Sequence, residues 1–413
     1  MFVYGILSTI LFLFSLPFYY VIRAISGKYL YGWDKKLGFF PSPNLGDKVI
    51  MLHGVSVGEV IALENLIKNI KKTFPEYKIV ITTGTRTGQE IAHKKYDNIA
   101  DFITYFPFDV PFCVRKFLNR INPSVIMIAE TELWPTFAFH CKHRNIPLYV
   151  INGRISDSTF KAYRFLKPFF KQVLKNYTQI LTQSNEDREK LIKIGASAEK
   201  TLVMKNLKFD IKKSDATIDI GKGDSRIIIA GSTHKGEDEI IIKSFRILKK
   251  QFPDIKLLLA PRHLHRAAHA GELARDTNLP YGFRSDNAKF TDYDIIILDT
   301  MGELSKMYSI CDFAFIGGSF NKTGGHNPLE AIVYNKPVIS GPNIHNFRDI
   351  YWILTRSSSG KVVKTPQELV KYMHKLLSNK EFYNQACEDC KNIFNEQQGA
   401  LEFVINHLKN ILK

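Results

Sequence analysis

The sequence lacks the cysteine pattern of a disulfide-stabilised protein. Only five cysteines occur in 413 residues, and an odd number spread over so long a chain favours a reducing compartment. Cys387 and Cys390 are spaced as CxxC, but no second pair follows at zinc-ligand spacing. The cysteines therefore indicate neither a disulfide framework nor a zinc site.

Motifs of nucleotide hydrolysis, redox chemistry and metal binding are also lacking. There is no Walker sequence, and the first half has no GxGxxG after a strand, which argues against ATP hydrolysis and dinucleotide chemistry. His53, His263, His265, His326 and His345 stand in different loops without a His-x-Glu-x-x-His type of spacing. We therefore predict no cofactor and no metal, and expect His263 and His326 to donate hydrogen bonds to a phosphate or carboxylate.

The chain has fewer negatively charged than positively charged side chains. Lys and Arg total 57 against 40 for Asp and Glu, a formal net charge of +17. Such a balance suits acidic partners, and nucleic acid, anionic lipid and phosphorylated small molecules all fit it. The 45% hydrophobic content indicates a globular protein, and the length predicts two or three domains.

Charge is absent from the N-terminus, and this selects lipid among the acidic partners. Residues 1–22 carry no charged side chain and are rich in Phe, Leu, Ile and Tyr, whereas Arg23, Lys28, Lys35 and Lys36 follow. A bilayer core needs about 20 apolar residues, and positive charge on the C-terminal side predicts a cytoplasmic body. A cleavable signal peptide would have a basic n-region and a small-x-small cleavage site. We predict a retained anchor at 1–25 that either spans the membrane or lies in its plane.

After the anchor, short apolar runs alternate with helical patterns, which predicts parallel sheets flanked by helices in two α/β halves. A polar stretch at 208–225 is interpreted as the linker between them. Ligands of such sheets bind at the carboxyl ends of strands, so we expect a cleft between the halves. The predicted strands are 48–52, 78–83, 102–106, 124–129, 147–151, 179–183 and 201–205, then 226–230, 256–260, 294–298, 313–316 and 337–339.

The most informative turn is 53–60, HGVSVGEV, which follows a predicted strand and opens a predicted helix. It places Glu59 in or beside the first helical turn. Small residues, among them Ser56 and Gly58, leave room for a substrate there, and free backbone N–H groups attract anions. The alternative is an ordinary acidic first turn that favours the helix dipole.

Four turns of the second half have compositions that suit a nucleotide. Ser232 and Thr233 lie in a GSTH turn, Arg262 and His263 in PRH, and 299–304 reads DTMGEL. The fourth region holds GGS at 317–319 and GGHNPLE at 324–330, with Asn327 as predicted N-cap and Pro328 as N1. Glycines admit a phosphate close to the backbone, and Glu330 can accept hydrogen bonds from a ribose diol.

Together these segments resemble one family, the bacterial 3-deoxy-D-manno-octulosonic acid (Kdo) transferases of lipopolysaccharide synthesis. The resemblance covers nearly everything after the anchor. It rests on HGVSVGE (53–59), TTGTRTG (82–88), FPFD (106–109), ETELWP (130–135), NGRIS (152–156), NLKFD (206–210), GSTHKGE (231–237), PRH (261–263), DTMGEL (299–304), GGS (317–319) and GGHNPLE (324–330).

The resemblance implies a GT-B glycosyltransferase with two Rossmann-like domains. The implied donor is CMP-Kdo, the acceptor is the lipid A precursor lipid IVA, and the anomeric centre is inverted without a metal. Glu59 matches the family's general base and Glu130 a second essential acidic residue. We expect an enzyme at the cytoplasmic face of the inner membrane that binds no nucleic acid.

The resemblance also implies which residues meet each substrate. The expected domains are an acceptor domain at 26–207, a CMP-Kdo domain at 226–390 and a C-terminal helix at 391–413 that packs back on the first domain. The expected acceptor-binding residues are Ser56, Gly58, Arg86 and Arg154. For Arg86 the alternatives are binding of the Kdo carboxylate and an ordinary solvated position in the loop. The donor-binding residues are Ser232, Thr233, Arg262, His263, Met301, Gly302, Glu303, Gly318, Ser319, Gly325, His326, Asn327 and Glu330.

Other functions fit the same architecture. A membrane-associated GT-B transferase that uses a UDP-sugar is one, and a GT-B-like sugar epimerase or a nucleotide-sugar-binding module without turnover are others. The sequence leaves open the number of Kdo units transferred, the acyl-chain preference of the acceptor, the oligomeric state and the tuning of the Glu59 pKa.

Overall fold

A computed structural model describes residues 2–25, 32–214 and 218–412. Lys28 of the predicted basic flank and part of the predicted 208–225 linker therefore lie outside the described residues. The chain divides into two compact units, one formed by residues 1–210 and 398–413 and the other by 211–397. The predicted boundary at 390/391 falls inside a helix of the second unit.

The first unit is built on a parallel seven-stranded sheet of the order β3-β2-β1-β4-β5-β6-β7. Its strands are β1 (Val49–Gly54), β2 (Lys78–Thr83), β3 (Phe102–Tyr105), β4 (Val125–Ala129), β5 (Leu148–Gly153), β6 (Gln179–Thr182) and β7 (Thr201–Val203). Strands β1, β4 and β5 are buried along their whole length. This is the burial expected of a parallel sheet covered on both faces.

The helices of the first unit cover those faces. They are α1 (Phe2–Ile25), α2 (Trp33–Lys36), α3 (Val57–Ala62), α4 (Glu64–Thr73), α5 (Arg86–Tyr96), α6 (Pro111–Ile121), α7 (Pro135–His143), α8 (Asp157–Phe165), α9 (Lys167–Leu174) and α10 (Asn185–Ile194). One core includes Leu66 and Ile70 of α4, and the core on the other face includes Phe117 and Phe137.

Helix α1 lies against the first unit along one side. The ring of Tyr4 is 5.2 Å from that of Phe169, and the ring of Phe12 is 5.1 Å from that of Phe108. Seven apolar side chains on the helix are between 45% and 74% exposed, namely Ile6, Leu7, Ile10, Leu11, Leu13, Phe14 and Phe18. Within the described part of the chain, no helix has both the length and the hydropathy needed to traverse a membrane.

The second unit repeats the design with a parallel seven-stranded sheet of the order β10-β11-β9-β8-β12-β13-β14. Its strands are β8 (Arg226–Thr233), β9 (Ile255–Pro261), β10 (Tyr281–Phe283), β11 (Ile295–Ile297), β12 (Phe313–Ile316), β13 (Val338–Ser340) and β14 (Gly360–Val362). Its helices are α11 (Glu237–Lys249), α12 (Ala267–Arg275), α13 (Leu304–Met307), α14 (Leu329–Ile332), α15 (Arg348–Leu354), α16 (Pro366–Ser378) and α17 (Lys380–Gln397).

The last helix, α18 (Ala400–Ile411), belongs to the first unit. Its side chains Val404, Ile405 and Leu408 are buried in the same core as Leu66 and Ile70. The carboxylate of Asp210 accepts the backbone N–H groups of Gly399 and Leu401, which begin this helix. The return of the C-terminus to the first unit thus starts at 398, rather than at 391 as the sequence predicted.

The prediction of two parallel α/β sheets is confirmed. Two strands, β10 and β14, were not predicted, and each has only three residues and contains a glycine. Both lie at the edges of the second sheet. Edge strands are covered on fewer sides, so they do not need the continuous apolar runs that marked the central strands.

Candidate functional site

The turn between β1 and α3 holds Glu59 in a fixed orientation. Ser56 is the N-cap of α3, with extended backbone, and its hydroxyl donates to Glu59 Oε1 at 2.7 Å. The backbone N–H of Val55 donates to Glu59 Oε2 at 2.7 Å. Only 8% of Glu59 is exposed. The sequence folds this way because a Ser at the N-cap and a Glu three residues later form a reciprocal capping pair.

Burial sets the acidity of Glu59. Desolvation raises the pKa of its carboxyl group above the ordinary value, while the hydrogen bonds from Ser56 and Val55 oppose this and the charge of Glu132 adds to it. A carboxylate has about four acceptor positions. The side chain of Ser56 and the backbone N–H groups of Val55 and Ser56 use part of this capacity. The remainder can accept a substrate hydroxyl, so the arrangement suits a general base.

Two further carboxylates follow the neighbouring strand. β1 and β4 are paired in parallel, so Glu130 and Glu132, which follow β4, lie at the same edge as Glu59. Glu130 adopts the left-handed region at φ 58°, which is uncommon for a residue other than glycine, asparagine or aspartate. Burial and the charge of Glu130 raise the pKa of Glu132. The influence of Glu132 on its neighbours was not predictable from the sequence.

Asp109 stabilises the start of α7, the helix that follows Glu130 and Glu132. The sequence did not reveal this role. Its two carboxylate oxygens accept the backbone N–H groups of Thr136 at 3.0 Å and Phe137 at 2.7 Å, which begin α7. Desolvation raises the pKa of Asp109 to about 6, although these hydrogen bonds oppose the shift. The hydroxyl of Tyr4 on α1 also hydrogen-bonds Asp109.

The predicted acceptor-binding residues lie in turns at this edge. The carbonyl of Val55 accepts the backbone N–H groups of Gly84 and Thr85, which joins the turn after β2 to the turn after β1. Arg86 follows Thr85 and is exposed, with Nε 2.8 Å from Glu90. Arg154 is exposed after β5.

Two of these residues are small. Ser56 already donates to Glu59, and a Cβ at Gly58 would meet only Ser56 Oγ, at 3.9 Å. A methyl group therefore fits at position 58.

His53 belongs to the core. It is completely buried and its Nδ1 lies 3.0 Å from Thr82 Oγ1, while its ring stacks on Phe106 at 4.1 Å. Desolvation lowers the pKa of His53 to about 3. Within the described residues, no group of three or more His, Cys, Asp or Glu side chains is arranged to hold a metal ion.

In the second unit, β11, β9, β8 and β12 are consecutive in the sheet and parallel. The carboxyl ends of these strands therefore share one edge. The predicted donor-binding residues lie at this edge: Ser232 and Thr233 end β8, Glu330 lies in the first turn of α14, and the others lie in the turns that follow the strands. The backbone N–H of Arg262 donates to the carbonyl of Thr233 at 2.9 Å, which joins two of the turns. Ser232 adopts the left-handed region at φ 55°.

The glycine-rich GGS turn differs from the expectation. The backbone N–H groups of Gly318 and Ser319 donate to the carboxylate of Glu237 at 2.7 and 2.8 Å, and Phe320 adds a third at 2.8 Å. The N–H of His234 donates to the same carboxylate at 2.9 Å. These backbone N–H groups already bind the carboxylate of Glu237. A contact between the donor and Gly318 or Ser319 would therefore need other atoms of these two residues, and it remains a prediction.

The GGHNPLE segment also differs in one detail. Helix α14 begins at Leu329 with Pro328 as its N-cap, one residue later than predicted. The Asn327 side chain still accepts the N–H of Leu329 at 3.1 Å. Desolvation raises the pKa of Glu330, against the effects of Arg262 and of a hydrogen bond from Asn327.

Gly325 and His326 lie beside this helix start. The Gly325 N–H donates to the carbonyl of Gly318 at 2.8 Å. His326 Nε2 lies 2.9 Å from His234 Nε2. The two glycine-containing segments after β12 are therefore joined to each other and to the turn after β8.

The turn after β11 is partly occupied by internal pairs. Glu303 accepts from the hydroxyl of Thr300 and forms an ion pair with Arg284 at 3.3 Å. The Thr300 hydrogen bond and Arg284 lower the pKa of Glu303, while desolvation opposes them. Met301 is 80% exposed, and Gly302 has open space at its Cβ position.

Comparison with known proteins identifies the family. Residues 31–211 match the model of the 3-deoxy-D-manno-octulosonic-acid transferase (kdotransferase) family. A 3-deoxy-D-manno-octulosonic acid transferase of Haemophilus influenzae is 35% identical over 373 residues, 88% of this chain and 87% of that protein. One from Rickettsia felis is 32% identical over 372 residues, 87% of this chain and 76% of its own length.

Solved structures with similar folds are only distantly related in sequence. A putative UDP-N-acetylglucosamine 2-epimerase from Listeria monocytogenes aligns with a TM-score of 0.54 at 15% identity, over 89% of this chain and 97% of its own. A UDP-GlcNAc 2-epimerase from Neisseria meningitidis bound to UDP-GlcNAc gives 0.54 at 12% identity, over 88% and 100%. These similarities concern the fold alone and agree with the predicted GT-B class. The sequence relatives show that the chain belongs to the Kdo transferase family and is a glycosyltransferase.

Proposed function

We propose that this Kdo transferase moves Kdo from CMP-Kdo to lipid IVA in an inverting reaction that needs no metal, with Glu59 as the general base. One observation carries the proposal. Glu59 is a buried carboxylate at the carboxyl edge of the first sheet, oriented by Val55 and Ser56, and its pKa is raised by desolvation.

In this mechanism Glu59 removes the proton of the acceptor's primary hydroxyl while the hydroxyl oxygen attacks the anomeric carbon of Kdo. The bond from that carbon to the phosphate oxygen breaks, and CMP leaves with the electron pair. A base works best when its pKa approaches the working pH, so the raised pKa of Glu59 makes the carboxylate better suited to this step. The phosphate is a good leaving group and needs charge stabilisation rather than a strong acid.

Glu130 and Glu132 would act at the same edge of the first sheet as Glu59. Glu130 stands in a left-handed backbone conformation directly after β4, and such strained residues are often found at functional sites. We propose that Glu130 hydrogen-bonds near the reacting centre. Glu132 would act through charge, since it raises the pKa of Glu59.

The second unit would bind the donor through the turns after β8, β9, β11 and β12. Arg262 offers a fixed positive charge to the phosphate or to the Kdo carboxylate. Asn327 and Glu330, which are hydrogen-bonded to each other, would meet the ribose. Ser232, Thr233 and the 301–303 turn complete this proposed donor site.

The acceptor would reach the first unit from a membrane surface. Arg86 and Arg154 are exposed cations that follow β2 and β5 at the same edge of the sheet as Glu59, and they suit the phosphates of lipid IVA. Because one side of α1 packs on the unit and the other exposes apolar side chains, we propose that α1 lies in the membrane plane at the cytoplasmic face of the inner membrane.

A second surface feature supports the membrane contact. Lys116 lies 3.1 Å from the ring centroid of Phe39 and 5.4 Å from that of Phe112, and both rings are about half exposed. Exposed aromatic rings beside a cation suit an interface of anionic headgroups and acyl chains. The partly exposed α8–α9 junction adds Phe165, which is 86% exposed, and Arg164.

The proposal is tested with purified protein, lipid IVA and fresh CMP-Kdo, with product mass as the readout. Wild type should add Kdo, whereas Glu59→Ala should abolish turnover and leave the affinity for CMP within a few fold. Glu76→Ala, at an exposed position before β2, is the control. Equal activity in the Glu59 variant would refute the mechanism. Competition by UDP rather than CMP would instead favour a transferase of UDP-sugars, and CMP binding without turnover would favour a binding module.

A further inference from the structure

Two histidines of the second unit share a hydrogen bond. Nε2 of His234, after β8, lies 2.9 Å from Nε2 of His326, after β12, and the two ring planes are inclined by only 11°. At this distance one nitrogen must donate and the other must accept. The two Nε2 atoms therefore hold a single proton between them.

The surroundings of the pair are mainly cationic. Arg262, His263 and Arg266 are the nearby positive or titratable groups, and Glu237 is the negative one. Desolvation and then the charge of Arg262 lower the pKa of His326 to about 4. Desolvation also lowers the pKa of His234, against the effect of Glu237. These effects favour the neutral form of both imidazoles.

Glu237 fixes both histidines. Its carboxylate, 1% exposed, accepts the N–H of His234 at the turn after β8 and the N–H of Gly318 at the turn after β12. The N–H of His326 in turn donates to the carbonyl of Gly317 at 3.1 Å. One buried carboxylate therefore sets the distance between the two segments that carry the imidazoles.

We infer that the His234–His326 pair takes up one proton from solvent when the phosphate of the donor nucleotide binds, and that Glu237 is the positioning residue of this pair. The inference rests on the proposed donor site. An anion beside an imidazole favours the charged form and raises its pKa. The added proton occupies a free ring nitrogen, because Nε2 of one ring still donates and Nε2 of the other still accepts.

The proton makes the pair a second cation beside Arg262. The pair would be charged only while an anion is bound. In the absence of an anion, the neutral pair does not repel Arg262. A pair that merely locked the two turns together would show no change in proton number on binding. Proton uptake thus separates a binding role from a structural one.

The test is isothermal titration of the full-length protein with CMP at pH 7.5 in two buffers of different ionisation enthalpy. The difference between the measured heats gives the number of protons taken up. Wild type should take up a fraction of a proton that rises towards one as the pH is lowered to 6. Its affinity for CMP should weaken as the pH is raised, by up to about tenfold per pH unit between the free and bound pKa values of the pair. Cytidine, which has no phosphate, should give no uptake.

Substitutions assign the proton. His326→Gln and His234→Gln should reduce the uptake to near zero, while His269→Gln, an exposed histidine of the same unit, should leave it unchanged. Glu237→Gln should weaken CMP binding and lower the uptake, because its single oxygen cannot accept all four N–H groups. If this variant does not fold, the wild type and the two histidine variants still test whether the pair takes up the proton.

The outcomes separate the inference from the proposed function. CMP binding without proton uptake, or full uptake in His326→Gln, would overturn the inference and leave the transferase proposal intact. Absence of CMP binding by the folded wild-type protein would overturn both.

Discussion

Asp210 and Leu401 lie 191 positions apart in the chain, yet the Asp210 carboxylate accepts the Leu401 backbone N–H at 2.5 Å. Asp210 is the last residue of the first pass through the first unit, and Leu401 stands near the start of the returning helix α18. The contact satisfies a backbone N–H that a helix start otherwise leaves without an intrahelical partner.

Asp210→Ala should therefore destabilise the first unit. Loss of a helix-capping carboxylate costs about 1–2 kcal/mol, and two N–H groups lose their acceptor here. Chemical unfolding followed by the fluorescence of the first unit's tryptophans should move to lower denaturant concentration. Asp224→Ala, at an exposed position before β8, is the control, and an equal shift in both variants would contradict the capping role.

The pH profile should report the ionisation of Glu59. A base must be deprotonated, so kcat/KM should rise with pH through a pKa that lies above the ordinary glutamate value, because burial raises the pKa of Glu59. The negative charge of Glu132 contributes to this increase. Glu132→Gln should therefore move the acid limb to lower pH, while Glu76→Gln leaves it in place. A limb that does not move would show that Glu132 has no influence on the base.

Ser56→Ala should move the same limb in the opposite direction. The Ser56 hydroxyl lowers the pKa of Glu59 by donating to its carboxylate, so its loss raises that pKa and shifts the acid limb to higher pH. Loss of the N-cap should also reduce stability by about 1 kcal/mol. Ser56→Thr keeps a hydroxyl and should restore the wild-type profile. Failure of this rescue would assign the effect to packing.

Gly317→Ala should disrupt the junction of the turns after β8 and β12. A Cβ at position 317 would lie 2.4 Å from the backbone oxygen of Ser232 and 2.7 Å from the Cα of Thr233. Overpacking of this kind costs about 1–3 kcal/mol, and CMP affinity should fall with stability.

The matched control is Gly58→Ala, where the nearest atom to the new Cβ is 3.9 Å away. Alanine there should leave stability unchanged or raise it by about 0.5–1 kcal/mol, because alanine favours the helix more than glycine does. Equal losses from both substitutions would contradict the close approach at Gly317. Thermal unfolding measures both variants.

The central strands could be predicted because burial on both faces imposes continuous apolar runs, such as Ile227–Ala230 in β8 and Leu257–Ala260 in β9. The carboxyl ends of these strands determine where the turns of the site lie, because all strands of each sheet run parallel. The three-residue strands β10 and β14 could not be found in this way.

The site was predictable where its contacts are local. Ser56 and Glu59 are three residues apart, and the turn pattern alone indicated their placement. Glu237 binds N–H groups 81 to 83 residues away, Asp109 binds Thr136 and Phe137 27 and 28 residues away, and His234 meets His326 92 residues away. No local pattern predicts a partner at such distances, so these pairings were found only in the structure.

The returning helix α18 also determines the order in which the protein can fold during synthesis. Residues 211–397 form a continuous unit, so its core can close as soon as they leave the ribosome. The first unit is made earlier, but its core around Leu66 and Ile70 is completed by Val404 and Leu408. The unit that is translated first can thus complete its core only after residues 398–413 have been made, which is later than the synthesis of the unit that follows it.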